Sequence, residues 1–120
     1  MKAIKLDRRR CSILSLVLKR KWYDMIANGK KREEYRDDKY YYRTRIRNLI
    51  RRFGESKENK IVVAFSCGYK KADLFMTVIG VNIYPDCLHP EWGEPKGNHY
   101  VIALGRRVEL TDCESEAPNG

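Results

Sequence analysis

The sequence predicts an α+β domain: five or six strands in one sheet, with two helices beside it. Three observations lead there. Two stretches carry apolar residues at helical spacing and end at a glycine. Short runs rich in Ile, Val, Leu and Phe, bounded by turn residues, read as strands. The chain has 120 residues, enough for a single core but not for two.

In chain order, residues 1–10 read as a flexible basic arm carrying Lys2, Lys5 and Arg8-Arg9-Arg10. Residues 11–110 form the one domain, and residues 111–120 are a flexible acidic tail. Residues 11–18 are rich in Ile, Leu and Val and suit a buried strand. The first helix spans about 19–28, with Trp22, Met25 and Ile26 on one face, and Asn28-Gly29 stops it. A charged strand follows at 31–36, then an Asp37-Asp38 turn. The second helix places Tyr42, Ile46, Leu49, Ile50 and Phe53 on one stripe and stops at Gly54. After a polar loop at 55–60, strands are expected at 61–66 and 73–83. Gly80 inside the second marks a bulge or tight bend. Residues 84–98 are a long loop, and 99–104 and 106–110 are closing strands around Gly105.

Charge is distributed unevenly. Residues 1–60 carry 20 Lys and Arg against 8 Asp and Glu, whereas residues 61–120 carry 5 against 8. A basic half on a small domain is the footprint of a protein that meets nucleic-acid backbone or another polyanion. Arg43, Arg45, Arg47, Arg51 and Arg52 crowd the second helix with no acid among residues 39–54. Like charges at i, i+4 destabilise a helix, which gives an external polyanion as the motive. Together with Lys19 and Lys21, Arg43, Arg45, Arg47 and Arg51 are the candidate phosphate contacts; a solvated helix face is the plain alternative.

No run reaches the roughly 18 apolar residues of a membrane span. The apolar part of MKAIKLDRRRCSILSLVL is short, broken by serines and followed by Lys19-Arg20-Lys21, so it reads as a strand of a cytoplasmic protein rather than a signal peptide. Cys11, Cys67, Cys87 and Cys113 form no CxxC pair, and neither a metal nor a cofactor is implied. Cys87 and His89 with Cys67 or His99 are the remaining conceivable metal donors. Cys67 with His99 as base is the conceivable nucleophile, a small buried hydrophobe being the commoner use of such a thiol.

The centre of the reading is Gly29-x-Lys31-x-x-Glu34-x-Arg36 just after the first helix. Strand alternation puts Glu34 and Arg36 on one face. Lys31 joins them if a bulge follows the Gly29 turn or if its stem curls round the strand edge. The alternative is a charged edge strand that resists aggregation. This motif, with Leu16, Leu18, Lys19, Trp22 to Ile26, Phe65, Gly68-Tyr69, Gly80, Glu91-Trp92-Gly93 and Tyr100 to Gly105, resembles the ASCH domain family of the PUA-like superfamily over most of residues 12–110. The resemblance implies a mostly antiparallel β-barrel with two flanking helices and a cleft lined by the motif, and binding of RNA or modified nucleosides. Arg45 falls where that family places a basic residue after the aromatic start of the second helix.

The expected ligand residues are therefore Gly29, Lys31, Glu34, Arg36, Tyr69 and Trp92. Tyr69 either stacks a base or wedges against its turn, and Trp92 is either a platform or a core plug. RNA or a modified nucleoside is the expected partner, with DNA as an alternative and no membrane. Lys31 and Glu34 become catalytic if the chain is a hydrolase or nuclease. Family members that hydrolyse acylated cytidine are similar in scaffold and use a lysine with a threonine three residues later. Here the lysine matches Lys31 but Glu34 stands in the threonine position. A basic protein-interaction domain is the third reading.

Overall fold

The computed structural model describes residues 4–55 and 60–111, the side chains of 52–55 excepted. Its elements are β1 (Ile4–Asp7), β2 (Cys11–Leu18), α1 (Arg20–Ala27), β3 (Glu33–Asp37), α2 (Tyr40–Glu55), β4 (Lys60–Cys67), β5 (Leu74–Tyr84) and β6 (His99–Thr111). The fold is α+β, with six strands in one sheet and two helices. Among the described residues, no helix is long and apolar enough to cross a membrane.

The sheet is mixed rather than mostly antiparallel. β4–β5, β5–β6 and β3–β6 run antiparallel, but β2–β4 and β1–β6 run parallel. β2 and β4 are joined through α1, β3 and α2, the kind of long crossover that a parallel pair requires. Strand order is β2-β4-β5-β6. β3 then lies along residues 99–103 and β1 along residues 108–111, both on the edge of β6 away from β5. Among the described residues no backbone ladder joins β2 to β3, so the sheet is open there instead of closing as a barrel.

The alternation in β2 is regular: Leu14, Leu16 and Leu18 are buried while Ser15 and Val17 face out. β4 is buried from Ile61 to Ser66 because it lies inside the sheet between β2 and β5, which explains its unbroken apolar run. Ile26 of α1 and Ile46 and Leu49 of α2 reach the same core cluster. Ile50 is 47% exposed, so the buried stripe of α2 is narrower than its spacing suggests. α2 also continues through Gly54 to Glu55. The bend expected near Gly80 is present as register shifts between Met76 and Gly80 in the β5–β6 ladder.

Residues 4–10 are not the loose arm that their charge suggested. Ile4 and Leu6 pair with Val108 and Leu110 in the parallel β1–β6 ladder, using an edge of β6 that β3 leaves free. Asp7 then caps the turn at Arg8–Arg10 by accepting from the Arg9 N–H at 2.9 Å. Residues 1–3, the loop residues 56–59, and residues 112–120 of the expected tail lie outside the described residues, as do the side chains of Arg52 and Phe53.

Candidate functional site

The gap between β2 and β3 is where the motif residues meet. α1 ends in a turn at Gly29 (φ +82°), a conformation that L side chains rarely adopt. Beyond it, the N–H groups of both Lys30 and Lys31 donate to the Met25 carbonyl at 2.9 Å. That pair of hydrogen bonds holds Lys31 against the end of the helix, and β3 begins only at Glu33. Lys31 therefore escapes strand alternation altogether, and its side chain folds in beside Glu34.

The result is a row of charges in which Lys31 and Glu34 are buried and Arg36 is partly so. Lys31 Nζ lies 3.0 Å from Glu34 Oε1, and Arg36 Nη2 lies 2.8 Å from Glu34 Oε2. Lys31 Nζ also donates to the Trp92 carbonyl at 2.7 Å. Arg36 Nη2 donates across the open gap to the Val17 carbonyl of β2 at 3.0 Å. Lys31 and Glu34 are only 3% and 5% exposed. Aromatic rings enclose the cations: Lys31 Nζ is 4.5 Å from the Trp22 ring centre and 5.2 Å from that of Tyr35, and the Arg36 guanidinium is 5.6 Å from that of Tyr42.

Burial lowers the Lys31 pKa, only partly offset by the charge of Glu34 and the hydrogen bond to it. Burial, followed by the hydrogen bond to Glu33, raises the Tyr35 phenol well above its ordinary range. Arg36 Nε is buried with no acceptor, the one such side-chain atom among the described residues. Over this row lies a cleft of about 260 Å³, walled by Val17, Leu18, Lys19, Trp22, Tyr35 and Gly93.

Gly93 admits no side chain. Its φ is +79°, and an added Cβ would sit 2.7 Å from Trp22 Cζ2. The loop bearing it is held by a second buried pair, in which His99 Nε2 lies 2.6 Å from Glu94 Oε2, their side chains 0% and 1% exposed. Glu94 Oε1 accepts from the N–H groups of Leu88 and His89, both at 2.7 Å. His99 Nδ1 faces the Gly97 carbonyl at 2.6 Å. These bonds fix the loop, and with it the Trp92 carbonyl that receives Lys31.

The remaining candidates are dispersed around the cleft. Lys19 caps α1 and lines the cleft, while Lys21 is exposed with its ammonium 4.7 Å from the Trp22 ring centre. The Trp92 ring stacks on His89 at 4.2 Å, so Trp92 joins the site through its carbonyl and not as an open platform. Tyr69 stands apart from the charge row, fully exposed on its turn. Arg43 and Arg47 line a depression with Asn82 and Tyr100, and Arg45 lines another with Ser12 and Asn48.

These arginines are less isolated than the sequence implied. Arg43 Nε is 3.1 Å from Asp38 Oδ1, and Arg45 Nη1 donates to the Tyr41 hydroxyl at 2.6 Å. Arg51 also has a partner. Cys67 and His99 do not form a nucleophile pair, because both His99 nitrogens are engaged by Glu94 and Gly97 while Cys67 lies beside Tyr69. Cys87 donates its thiol to the Glu94 carbonyl, and no group of three metal-capable side chains occurs among the described residues.

Sequence reasoning missed Trp22 and Tyr35 as walls of the site, and Glu94 as its anchor. Trp22 was legible as a helix-face residue, but only the fold-back of Lys31 gives its ring a second partner.

No protein-family model matches the chain, and no curated protein matches it. Among solved structures, it is similar to the crystal structure of the ZmASCH S128A mutant protein from Zymomonas mobilis. The two share 14% sequence identity, with 96% of this chain and 84% of that one covered, at a TM-score of 0.46.

Proposed function

We propose that this chain is an RNA-binding domain of ASCH, PUA-like type, whose cleft between β2 and β3 receives one base or modified nucleoside. The observation that carries the reading is the buried Lys31–Glu34–Arg36 row beneath the cleft. A buried ion triad is a poor source of stability, since well-packed apolar residues often serve the fold as well or better. Here it is accompanied by an unmet donor, Arg36 Nε, and unsatisfied buried polar atoms call for a specific explanation. A ligand oxygen that draws the guanidinium forward supplies the missing acceptor.

The cleft volume of about 260 Å³ suits a single nucleoside rather than a duplex, lying just under the roughly 300 Å³ at which small-molecule sites begin. Both Glu34 oxygens are already engaged, one by Lys31 and one by Arg36. The carboxylate thus acts as a holder of cations, which favours binding over hydrolysis. In this reading Arg36 meets a base edge or phosphate, Lys19 guards the mouth, and the α2 arginines supply salt-sensitive backbone affinity.

The test is titration of a fluorescent single-stranded RNA across a salt series, comparing wild type with Arg36→Met and Arg47→Ala. Arg36→Met is expected to weaken binding about tenfold or more, the scale of a charge-assisted hydrogen bond. Arg47→Ala is expected to weaken binding only modestly and flatten the salt slope by about 0.7, one single-strand phosphate contact. Equal effects from the two substitutions would move the ligand out of the cleft and onto α2.

A further inference from the structure

We infer that the groove beneath the Tyr69 turn is a second subsite, taking the nucleobase adjacent to the one in the cleft. The ligand is then a single strand of two or more nucleotides, not a free nucleoside; this rests on the cleft reading above. The groove encloses about 480 Å³ and is lined by Val17, Leu18, Lys19, Cys67, Gly68 and Tyr69. Val17, Leu18 and Lys19 also wall the cleft, so the two depressions share one rim.

The Tyr69 ring is fully exposed, and Val17 is 59% exposed. Folding therefore gains nothing from burying the Tyr69 ring as it stands, and only part of what Val17 could give. The turn that bears the ring is nonetheless fixed in place. Gly68 donates its N–H to the Leu18 carbonyl at 3.2 Å, which ties the turn to the end of the strand that borders the cleft.

Charge complements the apolar floor. Lys19 and Arg20 line the groove, and Lys70 and Lys71 follow Tyr69 directly in the chain, all four exposed. Arg20 leans toward Asp24 at 3.7 Å, a solvent-exposed pair too weak to hold it from an incoming phosphate. An open aromatic face with cations beside it is the arrangement that binds an unpaired base together with its phosphate, without regard to sequence. An acidic peptide would use the cations but would leave the ring and the apolar floor unfilled.

The experiment measures binding of a random-sequence single-stranded RNA ten-mer to Tyr69→Ala, Tyr69→Phe and Arg36→Met across a salt series. Tyr69→Ala is expected to lose about 5- to 150-fold in affinity, the range for base–aromatic stacking, with its salt slope unchanged. Tyr69→Phe is expected to bind like wild type, because the ring and not the hydroxyl does the stacking. Wild-type affinity in Tyr69→Ala overturns the second subsite, while a defect in Arg36→Met alongside it leaves the cleft reading standing. Loss in Tyr69→Ala with none in Arg36→Met removes the base in the cleft, and the two-site footprint falls with it. A fall of about 0.7 or more in the salt slope of Tyr69→Ala, the mark of a lost phosphate contact, also overturns the stacking assignment.

Discussion

Glu34→Ala is expected to destabilise the protein by about 3–5 kcal/mol, read from the denaturant midpoint at constant slope. The size of the effect comes from what is left behind. Lys31 Nζ and Arg36 Nη2 approach the same carboxylate from its two oxygens, and Lys31 is 3% exposed. Removing Glu34 leaves two cations facing each other with no anion between them and little water to screen them. Lys31 retains the Trp92 carbonyl and Arg36 the Val17 carbonyl, but neutral oxygens recover only part of that loss. Replacing the whole row at once, Lys31→Met/Glu34→Leu/Arg36→Met, is expected to restore most of the stability lost in Glu34→Ala. The charges then vanish together and none is stranded. A triple variant as unstable as Glu34→Ala would mean that the row is a structural requirement of the fold.

Glu94→Ala is expected to be of similar size, about 3–5 kcal/mol, since it leaves a buried side chain and two backbone N–H groups without their acceptor, at about 1–3 kcal/mol each. It removes at one stroke the acceptor for His99 Nε2 and for the N–H groups of Leu88 and His89. Its consequence for the site is local: the loop loses its anchor, and the Trp92 carbonyl no longer meets Lys31. The same contact has a pH signature. Burial by itself would raise the Glu94 pKa, but the hydrogen bond from His99, those from the His89 and Leu88 backbone, and the His99 charge together bring it below the ordinary value of 4.5. A carboxylate held low in the folded state contributes stability that is fully present above its unfolded pKa, and that contribution disappears as pH falls through the folded pKa. Wild type is therefore expected to lose stability on acidification below about pH 4.5, and Glu94→Ala to show a smaller loss there. Parallel acid profiles for the two proteins would contradict the role given to Glu94.

Much of this was legible in the sequence, for physical reasons. β2 falls at residues 11–18 as read, because its run of Ile, Leu and Val is bounded on both sides by basic residues. The three charges of the motif come together because Glu34 and Arg36 share a strand face and Gly29 stops the helix just before Lys31. The route that Lys31 takes was not legible. It depends on two backbone bonds to Met25 that delay the strand by two residues. The Glu94–His99 anchor carries no periodic signal, since a loop residue and the first residue of β6 pair only once the loop has folded. β1 was hidden by its basic neighbours: four residues cannot announce a strand when their partner is a free edge more than a hundred residues away. The arginines of α2 misled in a narrower way. The acid that pairs with Arg43 is Asp38, one residue outside the acid-free window.

The central claim is that the charge row serves a ligand and not the fold. The most direct test is the affinity of Lys31→Met/Glu34→Leu/Arg36→Met for single-stranded RNA, measured once its circular dichroism and unfolding midpoint establish that it is folded. A folded variant whose affinity has dropped about tenfold or more, the loss of at least one charge-assisted contact, is the predicted result. A folded variant that binds RNA as wild type does would contradict it, and would place the nucleic acid on the basic surface outside the cleft.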